Sequence, residues 1–223
     1  MIDDAKYIFR DATIKDIDFL STAIIEAKKG GSDMVGMANL FELSEEEFKG
    51  YVAQMLEEEI DGCDFSVSSF IIAEYEGKPV ATFGGWVEGE NEDEMPSSLL
   101  KSNLIGYIIP LENVQKASEK SHLLENLQVE REEGTYQLEY GYTVPEHRGH
   151  HLIGKLIEKH EERAKSCPKP VSKIQVLVYD NNKAAISAYL KAGFTVIQRL
   201  EAGNSEVLKY YPHDKELFLE KTI

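Results

Sequence analysis

The stretch from Tyr140 to Phe194 sets the tightest limit on what this chain can fold into. A β-rich run from Gln137 passes into Val144-Pro145-Glu146-His147-Arg148-Gly149. Leu152, Ile153, Leu156, Ile157, His160 and Ala164 then mark one face of a helix with a period of about 3.6. Ile174 to Val178 is a second β-rich run, after which Asn182 caps a helix that stops at Gly193-Phe194. A strand, a turn and a helix start aim free backbone N–H groups at one point, which makes a cradle for phosphate. Tyr189 puts a reactive phenol one strand further on.

The remaining elements surround that stretch. Tyr7-Ile8-Phe9-Arg10 reads as a strand, Thr13 as a helix cap with Asp16 in the capping-box position, and Ile17, Leu20, Ile24 and Ile25 as an apolar helical stripe. Lys29 to Asp33 breaks that helix, and Ser44 before Glu45-Glu46-Glu47 starts another, expected to reach about Ile60. Phe70 to Tyr75 and Pro79 to Val87, joined by Glu76-Gly77-Lys78, predict a hairpin. Phe194 to Arg199 and Glu206 to Tyr211 predict a closing strand pair.

From Glu88 to Gly134 the chain carries 11 acidic and 4 basic residues, with weak helical patterning over 97–105 and 111–127. The segment is too long for a loop. It reads either as a partly helical insertion over one end of the sheet or as a solvated acidic flap. The expected organisation is one domain over residues 1–223, with this insertion at about 88–134 between the third and fourth strands.

A formal net charge of -16 argues against a nucleic-acid surface, which needs clustered Lys and Arg to displace counterions. Cys63 and Cys167 lie far apart without metal-ligand spacing and are expected as reduced thiols, which suits a reducing cytoplasm. No leader-like segment opens the chain and no run of about 18 apolar residues occurs, so a soluble, cytoplasmic protein without a membrane partner is expected. His147 and His151 are four apart, but no third and fourth ligand accompanies them, and no metal is expected.

The order of elements, with Asn182, Ala185, Tyr189 and Gly193-Phe194 at their spacing and Arg148-Gly149 before the helix, resembles the GCN5-related N-acetyltransferase (GNAT) superfamily. The resemblance runs from about Ile8 to the C-terminus, the insertion excepted. It implies a mixed α/β fold: a central, mostly antiparallel sheet with one splayed parallel strand pair, flanked by helices. Acyl-CoA would lie between the splayed strands, here Gln137 to Val144 and Ile174 to Val178. A bulge near Tyr142-Thr143 would open the pair and free backbone groups for the amide-rich pantetheine arm, so Thr143 and Val144 are expected contacts. In the family an Arg or Gln and a glycine-rich run wrap the pyrophosphate; here that run is Arg148-Gly149-His150-His151-Leu152-Ile153-Gly154. His151 stands where the second glycine is usual and Ile153 replaces a small residue, yet the backbone donors do not depend on side-chain identity. Asn182 and Tyr189 complete the expected contacts, Asn182 chiefly as a helix cap.

The resemblance implies transfer of an acetyl group from acetyl-CoA, the acyl donor, to a primary amine of a small molecule by direct attack in a ternary complex. Such transfer needs a neutral amine, a polarised carbonyl and an acid for the departing thiolate. Tyr189 is the expected acid; packing on Phe194 to close the core is its competing role. Glu139 and Tyr140 are the nearest candidates for the base. Adjacent strand residues point to opposite faces, so only one of the two is expected in the cleft. Phe41, Trp86 and Tyr140 are candidate acceptor-pocket walls by analogy, while the Glu45 to Glu47 and Glu57 to Glu59 clusters read as solvated helix faces. The acidic surface suits a cationic amine. Transfer to a protein N-terminus or lysine, or acyl-CoA binding without turnover, are the alternatives, and the resemblance is compatible with a homodimer.

Overall fold

The computed structural model describes residues 2–90 and 95–223. Its strands are β1 (Tyr7–Asp11), β2 (Phe70–Tyr75), β3 (Lys78–Val87), β4 (Tyr136–Thr143), β5 (Lys173–Tyr179), β6 (Thr195–Glu201) and β7 (Lys215–Thr222), in one sheet of order β1-β2-β3-β4-β5-β7-β6. Only β4 and β5 run parallel; the other neighbours are antiparallel. The helices are α1 (Ile17–Lys29), α2 (Gly36–Leu40), α3 (Glu45–Glu57), α4 (Ser97–Ile108), α5 (Leu111–Lys120), α6 (Leu152–Lys165) and α7 (Lys183–Lys191). Among the described residues no helix is long and apolar enough to cross a membrane, and Cys63 and Cys167 are free thiols.

Each face of the sheet is covered by a different set of helices. On one face the apolar stripe of α6, Leu152, Leu156, Ile157 and Ala164, packs with Tyr189 of α7 onto Phe83, Leu138, Val176 and Leu219. On the other, Leu20 and Ile24 of α1, Phe48, Val52 and Met55 of α3, and Leu100 and Leu104 of α4 pack onto Phe70, Ile72 and Tyr140. Gly85 is required where α6 meets β3, because a Cβ there would lie 2.6 Å from the Tyr136 ring. His160 fills that junction: the Tyr136 hydroxyl lies 2.8 Å from its Nδ1 and its Nε2 2.9 Å from the Phe83 carbonyl oxygen. Burial, with Arg163 nearby, holds the imidazole down at about 3, so it is neutral, its Nδ1 accepting a hydrogen bond from the Tyr136 hydroxyl and its Nε2 donating one to the Phe83 carbonyl.

Two irregularities in the centre of the sheet matter for function. The parallel ladder pairs Tyr136 with Ile174, Gln137 with Gln175 and Leu138 with Val176, then stops. On the other side of β4, Glu139 pairs with Gly84 and Tyr142 with Thr82, so Tyr140 and Gly141 together oppose Phe83. Tyr140 takes a φ of 61°, strained for a bulky side chain. The bulge thus sits at Tyr140-Gly141, two residues before the position expected from sequence, where Gly141 can follow the left-handed residue without a side chain to place.

Two other expectations need correction, and one open alternative is decided over the described residues. Glu206 to Tyr211 is not a strand: Asn204 caps a short 3-10 turn, Ser205–Lys209, by accepting the Glu206 N–H at 2.9 Å. The last strand begins at Lys215 instead, where Glu216, Leu217, Phe218 and Leu219 are buried on both faces and lack the alternation that marks an exposed strand. The helix from Ser44 ends at Glu57, short of Ile60. The acidic segment is helical rather than a flap over its described part, with α4 against α3, α5 against α2, and a 3-10 stretch Ser121–Leu127. Residues 91–94 of that segment lie outside the described residues.

Candidate active site

A cleft of about 1200 Å³ follows the opened edge of β4. It is walled by Gly141 to Thr143, the start of α6, the start of α7 from Asn182, and Gly30 to Ser32 after α1. Its α6 end is built by backbone. The first intrahelical bond of α6 joins the Lys155 N–H to the His151 carbonyl at 3.2 Å, so the N–H groups of Leu152, Ile153 and Gly154 precede the helical ladder. Gly149 has φ 88°, a conformation that suits glycine, and His151 adopts φ 58°. That is the left-handed geometry that the missing glycine would take freely, and the histidine holds it under strain.

Of the expected contacts, Thr143, Arg148, Gly149, His151, Leu152, Ile153, Gly154, Asn182 and Tyr189 line the cleft. Arg148 folds back, its Nε donating to the Thr143 carbonyl at 3.2 Å. Two expected contacts lie elsewhere. Val144 donates its N–H to the Val80 carbonyl at 2.9 Å and so completes the β3 ladder. His150 turns away to Asp4, with Nδ1 and Oδ1 2.5 Å apart, because the N-terminal segment offers it an acid. Neither His147 nor His151 is on a helix with the other: His147 ends a 3-10 turn, where its Nδ1 lies 2.8 Å from the Tyr7 hydroxyl. Asn182 caps α7 by accepting the Ala185 N–H at 3.2 Å.

Tyr189 is packed into the core and also borders the cleft. Its ring stacks on Phe83 at 6.2 Å and tilts against Phe194 at 5.9 Å, while its hydroxyl hydrogen-bonds to none of the described residues and borders the cleft. Burial, and then the charge of Glu139 across the sheet, push the phenol well above its ordinary value, so it stays protonated at neutral pH and keeps a proton to give.

Beyond the splay, on the α1 face, lies a buried group of charges. Lys28 of α1 reaches Glu139 Oε2 at 3.7 Å and stands over the Tyr140 ring at 5.0 Å, so the bulge puts both neighbours on one face and breaks the alternation expected from sequence. Arg131 forms a second ion pair with Glu139 and lies 5.0 Å over Trp86. The Tyr140 hydroxyl donates to Asp64 at 2.7 Å, and Lys101 of α4 reaches the same oxygen at 2.5 Å. Burial pushes the Glu139 carboxyl up, but Lys28, Arg131 and Lys101 outweigh it and hold the group at about 2. A carboxylate so held is a poor proton acceptor near neutrality. Glu216, at the start of β7, behaves oppositely: burial and then Glu139 raise it, against Lys28, to about 7.

Lys28, Asp64, Lys101, Arg131 and Glu216 were not singled out by the sequence. Glu216 alone had a readable signal, a carboxylate opening an apolar run, and it was hidden by the misplaced last strand. Of the candidate acceptor walls, Tyr140 and Trp86 belong to this charged group, whereas Phe41 packs on Phe48 at 6.1 Å away from it. Glu45 pairs with Lys29 and Glu47 caps Ser44, as a solvated helix start does.

The model of the acetyltransferase (GNAT) family matches residues 37–194. Among curated proteins none matches the sequence. Among solved structures, the chain is similar to an N-acetyltransferase from Staphylococcus aureus Mu50 (TM-score 0.67, 17% identity, covering 96% of this chain and 100% of that one). It is similar to yncA from Salmonella typhimurium with its cofactor acetyl-CoA (0.55, 13%, 97% and 93%). It is also similar to a Drosophila melanogaster polyamine N-acetyltransferase that forms N-acetylagmatine (0.57, 13%, 97% and 100%). At these identities the likeness speaks for the fold.

Proposed function

The chain belongs to the acetyltransferase (GNAT) family, and on that premise we propose that it moves an acetyl group from acetyl-CoA to a primary amine of a small molecule. The observation that carries this reading is the parallel ladder that stops at Leu138 and Val176, opening a cleft that runs from the N-terminus of α6 to the free hydroxyl of Tyr189.

The residues present fit acetyl-CoA as acyl donor. The first-turn N–H groups of α6, with Arg148 and Gly149, would hold its diphosphate. The β4 edge left without a strand partner after Leu138 would pair with the pantetheine amides and set the thioester against the splay. Tyr189 is then the group that gives a proton to the departing sulfur. Glu139 remains ionised and organises Lys28 and Arg131; we assign it a positioning role in place of the base read from sequence.

A small acceptor is favoured by the segment that follows α1 and includes α2. Gly30 packs on Tyr179, its carbonyl oxygen lies 3.0 Å from His213 Nε2, Gly36 abuts Tyr211, and Asn39 donates to the Tyr210 carbonyl at 3.1 Å. These contacts pin the segment from Gly30 to α2 beside the cleft, and we take that as favouring a small acceptor over a peptide. The similar fold of an enzyme that forms N-acetylagmatine adds support for a cationic amine. Thiol release from acetyl-CoA, followed with agmatine, spermidine, 2-phenylethylamine and an alanine-initiated peptide, tests the proposal. Release with a small amine and not with the peptide is expected; release with none, alongside a CoA-dependent rise in Tm, would make the protein a binder without turnover.

A further inference from the structure

The buried carboxylates on the α1 face differ in what they are bonded to. Glu88 accepts the Ser97 N–H at 2.7 Å and its hydroxyl at 2.6 Å; Asp64 takes Tyr140 and Lys101; Glu139 takes Arg131 and Lys28. Glu216 is 6% exposed, and among the described residues no hydrogen bond or ion pair reaches its carboxyl.

Its placement on the sheet is well defined. Glu216 lies opposite Tyr179 of β5, and directly opposed residues share a face. Tyr179 packs against Gly30, and its hydroxyl reaches the Lys28 carbonyl at 3.4 Å, so this is the α1 face. Gln137, Gln175 and Glu220 form one hydrogen-bonded row across the same face at the closed end of the splay, at 2.8 and 2.9 Å. Towards the open end, Glu139 lies two residues beyond Gln137 on β4, and Glu216 lies four residues from Glu220 on β7, past Phe218. The charged and titratable groups facing Glu216 are Lys28 of α1, Glu139 of β4, Tyr179 of β5 and Tyr211 of the segment before β7.

A buried carboxylate without donors is costly, and a ligand that brings an ammonium supplies the missing partner. We infer that Glu216 holds the ammonium of the acceptor and accepts the proton whose loss makes the nitrogen nucleophilic. The inference rests on the acetyl-transfer reading. The ammonium gives one proton to the Glu216 carboxylate. The nitrogen lone pair then forms the C–N bond to the thioester carbonyl carbon, the C–S bond breaks, and its electron pair leaves on sulfur. Sulfur takes the Tyr189 proton, a second nitrogen proton restores the tyrosine, and the third stays on the amide. Glu216 returns its proton to solvent, so one proton is released per acetyl group transferred. A carboxyl that titrates near neutrality suits this work, because it is both ionised often enough to accept and basic enough to remove the proton.

Glu216→Gln keeps the size and removes the base, and Glu216→Asp keeps the base on a shorter stem. With saturating acetyl-CoA and agmatine between pH 5.5 and 9, kcat/KM for agmatine is expected to fall about 100-fold in Glu216→Gln at pH 7, to recover towards high pH as free amine accumulates, and to be partly restored in Glu216→Asp. CoA affinity should stay within about twofold of wild type. A wild-type profile in Glu216→Gln, or a parallel loss of CoA binding, overturns the assignment. A second readout does not need turnover: agmatine is titrated calorimetrically into the CoA complex at pH 6.5 in two buffers of different ionisation heat. Wild type should bind it with proton release, and Glu216→Gln about tenfold more weakly without release; equal binding, or none in wild type, overturns the assignment. Glu216-dependent agmatine binding with no thiol release would retire the acetyl-transfer reading and leave the ammonium site standing.

Discussion

The two sides of the splay are built on different principles. The side proposed for the acyl donor is made from one contiguous stretch, Thr143 to Tyr189, and presents backbone: the start of α6, a strand edge unpaired towards β5, and one hydroxyl. The side proposed for the acceptor is gathered from α1, the acidic segment, β4 and β7, and presents charge: Lys28, Lys101, Arg131, Glu139 and Glu216. Backbone donors tolerate changes of side chain, so His151 can stand where glycine is usual. A buried charge tolerates the loss of its partner poorly.

The largest expected effect exploits that difference. Arg131→Met leaves Glu139 buried with Lys28 as its remaining ion-pair partner, and should lower unfolding free energy at pH 7 by about 3 kcal/mol, measured by urea denaturation. CoA affinity of the folded protein should change less than about twofold. A loss of CoA affinity as large as the loss of stability would erase the distinction between the two sides.

Glu216 gives a pH signature of similar size. Its folded value, about 7, lies above the 4.5 of a free glutamate, so the stability it contributes is complete below about pH 4.5 and is lost as pH rises through 7. Glu216→Gln removes that loss. Relative to wild type, the variant should gain about 3 kcal/mol between pH 4.5 and 8, and taking the difference cancels the other titrating groups. A flat difference would mean that the carboxyl is solvated and that the acceptor side is less closed than described.

On the donor side, Tyr189→Phe should lower turnover about tenfold or more while CoA affinity, read by calorimetry, stays within about twofold. Equal losses in both would assign the tyrosine to packing on Phe83 and Phe194. The smallest effect belongs to His151→Gly. Releasing the left-handed strain should raise stability by up to about 1 kcal/mol and leave CoA binding unchanged or tighter. Weaker binding would show that the imidazole itself holds the diphosphate.

The same contrast explains what the sequence disclosed. The helix periodicity of Leu152 to Ala164, the Asn182 cap and the Gly193-Phe194 stop are local, and each lies where its residues predict. The position of the bulge was not legible, because it depends on Phe83 of the neighbouring strand facing Tyr140 and Gly141 together. The partners of Glu139 were not legible either: Lys28 lies 111 positions before it on α1, and Arg131 belongs to a segment that reads only as acidic. Glu216 escaped notice because a strand buried on both faces lacks alternation.

The most direct test of the whole account is a crystal structure of the protein with acetyl-CoA. The diphosphate should rest on the N–H groups of Leu152 to Gly154, the pantetheine arm should pair with β4 between Glu139 and Thr143, and the sulfur should lie within hydrogen-bond reach of the Tyr189 hydroxyl with the acetyl group facing Lys28 and Glu216. A pantetheine arm lying outside the splay, or a sulfur remote from Tyr189 with the acetyl group turned from the α1 face, would contradict it.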